Sequence, residues 1–457
     1  MTIPTPETAT FHKPGPYGLR LGLVLLYAMT ALFFLWPAYR ASLNIVLDSN
    51  EGWNAYYADA AMGRMPLYPS PDKLITNNYP PLSFYVVGAM GRLTGDNIIA
   101  GRLLSLLAVI AIGVAIARII LRMGGTRTAA GVGGAYFVAT MSHFFTGYVG
   151  MNDPQLLAQA IMAFACLAFL AAAERRNGYA APVLAMVFAG FFKDNIITIP
   201  VAAMSWLLIH DRRQFVKCAL LSLAAIAVGF AACHFVYGRN FWFNFTSARA
   251  FSIDDGISAL PELQWVAVGL VAWAYVGWVK RADPRIQFCN LLVAIGLPVF
   301  FLQRCGSGVD VNAQFDLVIG VSIGVGMAFA LADQLPLARR FSPGHLRLAL
   351  LLAVCARLAA STSLEPVRLF TDPSFHTAIR DSEEQMADTV ARVRAIEGDV
   401  YCDPMVSYRA GKPFVVDEFN ALERIGAGKL PGDAIDKRLD KGDLTYVADP
   451  PNYVLPP

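Results

Sequence analysis

The sequence predicts an all-α protein that crosses a membrane about eleven times and carries a small α/β domain at its C-terminal end. Of its 457 residues, 56% are hydrophobic and only 16% are charged, whereas soluble domains average about 25% charged residues. The apolar residues form long runs separated by short polar turns, which is typical of polytopic helical membrane proteins. The formal net charge of +3 is too small to indicate a nucleic-acid partner.

Eleven apolar runs are candidates for spanning helices. Several are shorter than the ~20 residues that a helix needs to cross a bilayer, so we expect tilted helices or a locally thin bilayer. The runs cover approximately residues 21–39, 98–121, 128–148, 154–173, 179–192, 195–209, 217–237, 262–279, 286–302, 311–331 and 346–362.

Basic residues at alternate turns indicate the orientation. Arg122 and Arg127 flank one such turn, and Arg175 and Arg176 mark another. Because cytoplasmic loops are enriched in Lys and Arg, we expect a cytoplasmic N-terminus and a C-terminal end on the outer side. The alternation holds only if residues 79–93 form an interfacial or re-entrant helix.

The chain is expected to form two domains. Residues 1–362 would be the transmembrane domain, with a long first outer loop at 40–97. Within that loop, residues 52–63 carry aromatic and alanine residues at helical spacing, which predicts a helix on the membrane surface. Residues 363–457 are charged and would form a small soluble domain. Its candidate strands are 399–402, 413–416 and 444–447.

Two carboxylates in the first outer loop are the leading candidates for chemistry. Asp48 and Glu51 follow the first apolar run, stand three residues apart and have aromatic neighbours, so they share one helix face or one turn. The alternative is structural, because Asp is a good N-cap and Glu suits the first turn of a helix. A cap and a catalytic role are compatible.

Further polar residues stand in the other outer loops. Asp153 precedes Pro154 at the start of a run, which predicts an N-cap and a second carboxylate at the outer face. Lys193 interrupts an apolar stretch, where a charge faces a cavity or a partner. It either pairs with Asp194 or binds a phosphate. Arg304, in a glycine-rich loop, either anchors the interface or pairs with a phosphate oxygen.

The segment from Asn77 to Pro81 predicts a rigid, extended turn, because proline restricts itself and the preceding residue. Asn77 and Tyr79 place an amide and an aromatic ring in this turn. Such groups favour sugar binding, and the alternative is a plain loop. The chain contains no Walker loop, HExxH zinc motif or nucleophile elbow.

In this order, the motifs resemble the GT-C superfamily of integral-membrane glycosyltransferases, nearest to the family 39-like enzymes. These include protein O-mannosyltransferases and the lipid A aminoarabinose transferase. The resemblance rests on the first-loop acids, Tyr79–Leu82, the Asp153–Pro154 pair, the hairpin with Lys193, and the segment Gly306–Asn312.

The resemblance implies a sugar donor carried on polyprenyl phosphate, used at the outer face of the bacterial inner membrane. The acceptor would be a cell-envelope glycan, a lipid or a protein. Asp48 would be the general base, assisted by Glu51. Many relatives carry the two acids side by side, so either could be the base here. The substrate-binding residues would be Asn77, Tyr79, Asp153, Lys193, Arg304 and Asn312, of which Lys193 and Arg304 would hold the departing phosphate.

No cofactor is certain from this resemblance. Some GT-C members need a divalent metal, and Asp48, Glu51 and Asp153 would offer oxygen ligands that suit Mg²⁺ or Mn²⁺. The alternative function is a membrane transporter or a flippase of a lipid-linked or small polar substrate, although such proteins usually place their charges near the bilayer midplane.

Overall fold

The computed structural model describes residues 16–360 and 365–448. The predicted domain boundary between residues 362 and 363 lies outside the described residues, and the two-domain division stays a prediction. Four short 3₁₀ helices accompany the α-helices, at Leu260–Val266, Val311–Gln314, Ala332–Gln334 and Pro336–Arg339. The α-helices are α1 (Pro16–Arg40), α2 (Asn50–Ala61), α3 (Leu82–Thr94), α4 (Asn97–Arg122), α5 (Arg127–Phe144), α6 (Pro154–Arg175), α7 (Ala180–Gly190), α8 (Thr198–His210), α9 (Arg212–Tyr237), α10 (Arg239–Phe245), α11 (Ile253–Ala259), α12 (Ala267–Val279), α13 (Pro284–Arg304), α14 (Phe315–Ala330), α15 (Pro343–Ala359), α16 (Glu365–Thr371), α17 (Pro373–Ala395), α18 (Pro404–Arg409), α19 (Glu418–Gly426) and α20 (Asp436–Asp440).

Every predicted apolar run coincides with a helix, namely α1, α4 to α9 and α12 to α15. By length and composition, seven helical segments of the described chain could cross a membrane, and α7 and α8 are shorter apolar helices. The fold is therefore that of a multi-span helical membrane protein, as predicted, while the count of eleven spans stays a prediction. The seven segments are Tyr17–Arg40, Asn97–Arg122, Pro154–Arg175, Arg212–Tyr237, Ile253–Val279, Pro284–Arg304 and Val311–Ala330.

Helix α14 is the centre of the helix bundle. It is buried from Phe315 to Phe329 and packs against α4, α5, α12 and α13. Its glycines permit this close approach, because a Cβ at Gly326 would lie 2.3 Å from Ile120 Cδ1 and one at Gly324 would lie 2.8 Å from Trp273 Cβ. Small residues at such contacts are typical of helix packing in membranes.

Helix α2 confirms the helix predicted in the first outer loop, but it does not lie on a surface. Nine of its twelve residues are buried, because α3 and α4 pack on one side and α18 on the other. Gly52 allows this contact, since a Cβ there would lie 2.2 Å from Met405 N. No local pattern in the sequence indicated that α18 would pack on α2. Helix α3 is the predicted short helix, and its position relative to the bilayer stays a prediction.

The C-terminal segment after residue 365 mixes helices with one small parallel sheet. Strand β1 (Val400–Tyr401) pairs with β2 (Thr445–Tyr446), so two of the three predicted strands are present in shortened form. The third, at 413–416, is wrong: Val416 forms only an isolated bridge with Leu74 of the first outer loop. Val416 therefore pairs with the first outer loop and does not add a third strand to the C-terminal sheet.

Candidate functional site

Glu51 is a buried anchor of the first outer loop. Its carboxylate accepts two hydrogen bonds from Arg102, at 2.8 Å from Nε and 2.7 Å from Nη2, and both side chains are fully buried. The backbone N–H groups of Asn152 and Leu47 donate to the same carboxylate at 3.0 and 3.2 Å. With its oxygens so engaged, Glu51 positions the loop, and this geometry gives no support to a direct part in catalysis.

Arg102 is a residue that the sequence analysis missed. It also donates 2.7 Å hydrogen bonds to the carbonyls of Leu43 and Ile45, which fixes the chain just ahead of Asp48. A signal was present, because an arginine within an apolar run near a helix end usually faces the protein interior and has a partner.

Asp48 lies where this anchored loop enters α2. Its Oδ1 accepts from the backbone N–H of Asn50, the first residue of α2, at 2.8 Å, but the N-cap position is that of Ser49, so the predicted N-cap role of Asp48 is wrong. Burial raises the pKa of Asp48, and the negative charges of Asp153 and Glu51 raise it further, while the hydrogen bond from Asn50 lowers it. A carboxylate whose pKa is shifted toward neutrality is a better general base than an ordinary one.

Asp153 caps α6 as predicted, accepting from Gln155 N at 2.7 Å with Pro154 in the first helical position. The Gln155 side chain in turn accepts from Asn312 Nδ2 at 3.2 Å, which brings Asn312 to the start of α6. Within the described chain, Asn312 Oδ1 is buried without a hydrogen-bond partner. Asn312 lines a cavity, so its amide can serve a ligand.

Lys193 and Tyr79 form a close pair. The lysine Nζ lies 3.2 Å from the centroid of the tyrosine ring, and Lys193 is only 4% exposed. Burial lowers the pKa of Lys193, but Tyr79, Asp153 and Asp194 offset it, so the net pKa lies above its ordinary value. The lysine therefore places a positive charge against the face of the Tyr79 ring. Trp53 packs on Tyr79 edge to face, with 4.9 Å between ring centroids.

Asn77 is fully buried and holds the turn that carries Tyr79. Its Oδ1 accepts from Tyr79 N at 3.1 Å, and its Nδ2 donates to Leu67 O at 3.0 Å. Its own backbone N–H donates to Asn244 Oδ1 at 2.9 Å. Asn77 thus supports Tyr79 from behind, while its neighbour Asn78 lines the cavity.

Arg304 is engaged elsewhere. It pairs with Glu262 at 2.9 Å, and the other oxygen of Glu262 accepts from Gln314 at 2.7 Å. This network joins the end of α13 to neighbouring segments and lies outside the cavity lining. The arginine that does line the cavity is Arg249, whose guanidinium lies 4.7 Å from the ring centroid of Phe419. Arg249 was not among the site residues predicted from the sequence.

A polar cavity of about 580 Å³ is lined by Tyr79, Asn312 and Arg249, and by Ser49 and Asn50, which follow Asp48 in the chain. Ser49, Asn50 and Tyr79 of the first loop form one wall, together with Asn312 and Arg249, and the C-terminal segment forms the opposite wall. Seven aromatic rings and several carboxyl and amide groups line it, a combination that suits a sugar ring with its apolar faces and hydroxyl rim. The rings belong to Trp53, Tyr79, Tyr148, Tyr401, Phe414, Phe419 and Tyr446.

Buried contacts fix the C-terminal wall to the first loop. Asp417 accepts from Trp53 Nε1 at 3.0 Å and from Asn420 Nδ2 at 2.6 Å. Tyr56 donates to Lys412 O at 2.7 Å. Burial raises the pKa of Asp417, which these hydrogen bonds partly offset. The C-terminal segment is therefore a structural part of the site.

A second, apolar cavity of about 430 Å³ adjoins this region. Apolar side chains of α6 to α10 line it, and Pro80 and Asp194 stand at its edge. Since Pro80 follows Tyr79 and Asp194 follows Lys193, the Tyr79–Lys193 pair lies between the polar cavity and the apolar one. Such a junction suits an amphipathic ligand with a polar head and a long apolar tail.

The residues do not fit the metal site that the sequence suggested. Among residues 16–360 and 365–448, no group of three or more His, Cys, Asp or Glu side chains converges closely enough to hold an ion. Glu51 is engaged with Arg102, and one oxygen of Asp153 caps α6. A requirement for Mg²⁺ or Mn²⁺ stays a prediction.

Part of the chain matches a known protein family. Residues 78–237 match the family model of dolichyl-phosphate-mannose-protein mannosyltransferases, a stretch that includes Tyr79, Asp153 and Lys193. No curated protein matches the chain in sequence.

Solved structures extend the likeness to nearly the whole chain. The apo structure of ArnT from Cupriavidus metallidurans aligns with a TM-score of 0.59 at 12% identity, covering 95% of this chain and 94% of ArnT. ArnT bound to undecaprenyl phosphate aligns with a TM-score of 0.56 at 13% identity, covering 96% and 93%. The apo oligosaccharyltransferase of Archaeoglobus fulgidus gives 0.55 at 12% identity, covering 89% of this chain and 65% of its own. The chain therefore shares its fold with these membrane enzymes over most of its length, and its residues 78–237 match the mannosyltransferase family.

Proposed function

We propose that this protein transfers a sugar from a polyprenyl-phosphate donor to an acceptor hydroxyl or phosphate in the polar cavity. One observation carries the proposal: Tyr79 and Lys193 lie between a polar cavity of about 580 Å³ and an apolar cavity of about 430 Å³. A lipid-linked sugar needs both environments side by side. The proposal also draws support from the undecaprenyl phosphate bound to ArnT and from a dolichol-phosphate bound to the archaeal enzyme AglB.

In this proposal the donor lies across the junction. Its first isoprenyl units occupy the apolar cavity between α6 and α10, its phosphate lies near Tyr79, and its sugar enters the polar cavity. The buried Lys193 and the exposed Arg249 place two positive charges near Tyr79. Such preorganised charge stabilises a leaving phosphate more as its negative charge grows in the transition state.

Asp48 acts as the general base. The acceptor oxygen bonds to the anomeric carbon of the sugar while its proton passes to the Asp48 carboxylate. The bond from the anomeric carbon to the phosphate oxygen breaks, and its electron pair leaves with polyprenyl phosphate. Because Asp48 must be ionised to accept the proton, its raised pKa predicts an acid limb of activity above the ordinary carboxylate range.

The acceptor enters the polar cavity from the side that the C-terminal segment forms. A cell-envelope glycan, a lipid or a protein would each offer a suitable oxygen. The acceptor peptide in the structure of the archaeal enzyme shows one such class in another protein. The placement we propose is the outer face of a bacterial inner membrane with a periplasmic C-terminal end, because the arginine-rich turns lie at the other end of the bundle.

Reconstituted protein tests the proposal. Purified enzyme in vesicles is given polyprenyl-phosphate sugars with envelope extracts as acceptors, and sugar transfer is followed by mass spectrometry. Asp48→Asn should reduce transfer by at least a hundredfold and leave donor binding intact. Asp254→Asn, at an exposed position of α11, is the matched control and should keep wild-type activity. Uptake of substrate into vesicles without transfer would contradict the proposal and support the transporter alternative.

A further inference from the structure

A third cavity lies at the opposite end of the helix bundle from Asp153 and Lys193. Its volume is about 350 Å³, and it opens where α4, α6 and α8 end and where α7, α9 and α13 begin. Cavities of this size are typical of small-molecule sites. None of its lining residues takes part in the site described above.

Charged side chains line the mouth of this cavity. Arg122, Arg176 and Arg285 line it, against the acids Glu174 and Asp211. Arg122 already pairs with Glu174 at 2.7 Å, and Asp211 is engaged in capping α9. Arg285 pairs with Asp283 at 2.8 Å, so two of the three arginines at the mouth are already in ion pairs.

Arg176 is the cation without a partner. It is exposed, and across the described chain its guanidinium makes no ion pair or hydrogen bond with another side chain. It adopts a left-handed backbone conformation with φ of 52°, which no other non-glycine residue shows among those described. This conformation is uncommon for a residue with a Cβ, and Arg176 occupies it where α6 ends at the cavity mouth.

The floor and walls of the cavity are apolar and aromatic. Leu170 and Phe288 lie about one turn inside their helices, and Trp206 and Tyr179 stand between floor and mouth. Trp206 donates to Pro284 O at 3.2 Å, so its ring is fixed in place. Tryptophan and tyrosine are enriched where a membrane protein meets the headgroup region.

We propose that this cavity binds the headgroup of an anionic glycerophospholipid from the leaflet at that end of the bundle. The phosphate would meet Arg176, because one guanidinium can donate two parallel hydrogen bonds to phosphate oxygens. The glycerol and first acyl carbons would rest on Leu170 and Phe288. A soluble phosphate would use the arginines alone and leave this floor empty. Basic pockets between spanning helices commonly recognise anionic lipids.

The test compares lipids that differ only in headgroup. Delipidated full-length protein in detergent is titrated with dioleoylphosphatidylglycerol or dioleoylphosphatidylcholine, and bound lipid is counted by native mass spectrometry. The wild type should prefer phosphatidylglycerol. Arg176→Gln should weaken that binding at least fivefold, whereas Arg213→Gln should not, since Arg213 is exposed near the same turn but outside the cavity. Ala173→Leu, which fills the floor and keeps every charge, should weaken binding too.

Four outcomes would overturn the proposal. Equal binding of the two lipids would mean that the cavity does not recognise the charge of the headgroup. Equal effects of Arg176→Gln and Arg213→Gln would mean that only the general surface charge acts. Competition by glycerol-1-phosphate as strong as that by the intact lipid would make this a soluble-anion site. Preference for undecaprenyl phosphate, lost in Arg176→Gln, would assign the cavity to the donor lipid instead.

Discussion

The buried ion pair between Glu51 and Arg102 should be the most sensitive point of the first outer loop. In Arg102→Leu the Glu51 carboxylate stays buried with only two backbone donors, from Leu47 and Asn152. Removing one partner of a buried pair costs about 3–5 kcal/mol. At about 2.1 cal/mol/K of unfolding entropy per residue, 457 residues convert this into a fall in Tm of roughly 3–5 °C.

Thermal unfolding of the purified protein in detergent measures this effect. Arg118→Leu is the matched control, because Arg118 is an exposed arginine on the same helix, and its Tm should stay near that of the wild type. The double variant Glu51→Leu with Arg102→Leu should be more stable than Arg102→Leu alone, since it leaves no buried charge uncompensated. Equal Tm values for Arg102→Leu and Arg118→Leu, or additive effects in the double variant, would refute the reasoning.

Three further predictions concern the site and its walls. Asp153→Asn keeps the N-cap of α6 but removes a negative charge that raises the pKa of Asp48. The acid limb of the pH–rate profile should therefore move to lower pH. An unchanged acid limb would mean that the charge of Asp153 does not act on the catalytic base. Lys193→Met should weaken undecaprenyl-phosphate binding about tenfold or more by native mass spectrometry, and wild-type affinity would contradict a phosphate role. Gly52→Ala should lower Tm, because its Cβ would lie 2.2 Å from the backbone of α18, whereas Gly190→Ala, with open space around it, should not.

Much of the fold could be predicted from the sequence because its signals are local. An apolar run long enough to span a bilayer must satisfy its own backbone hydrogen bonds, so it forms a helix regardless of its neighbours. The C-terminal segment gave a weaker signal. Residues 413–416 are apolar and β-prone like a strand, yet Val416 meets Leu74, more than 300 positions away. The burial of α2 depends on α18 in the same way.

The site shows the same difference between features set by local sequence and features set by contacts distant in the chain. The cap at Asp153 was predictable, because Asp-Pro at the start of a helix is a local motif. The role of Glu51 depends on Arg102 on another helix, and this pairing has no trace in the spacing of the two residues. Arg304 and Arg249 look alike in sequence, and only the contact of Arg304 with Glu262 decides that Arg249 is the one that lines the cavity.

The central claim is that the junction at Tyr79 and Lys193 holds the donor phosphate, and a cryo-electron microscopy structure with undecaprenyl phosphate tests it most directly. The account predicts phosphate density beside Tyr79, within reach of Arg249, with the isoprenyl chain running between α6 and α9. Phosphate density at the Arg176 end of the bundle, with the junction empty, would contradict it.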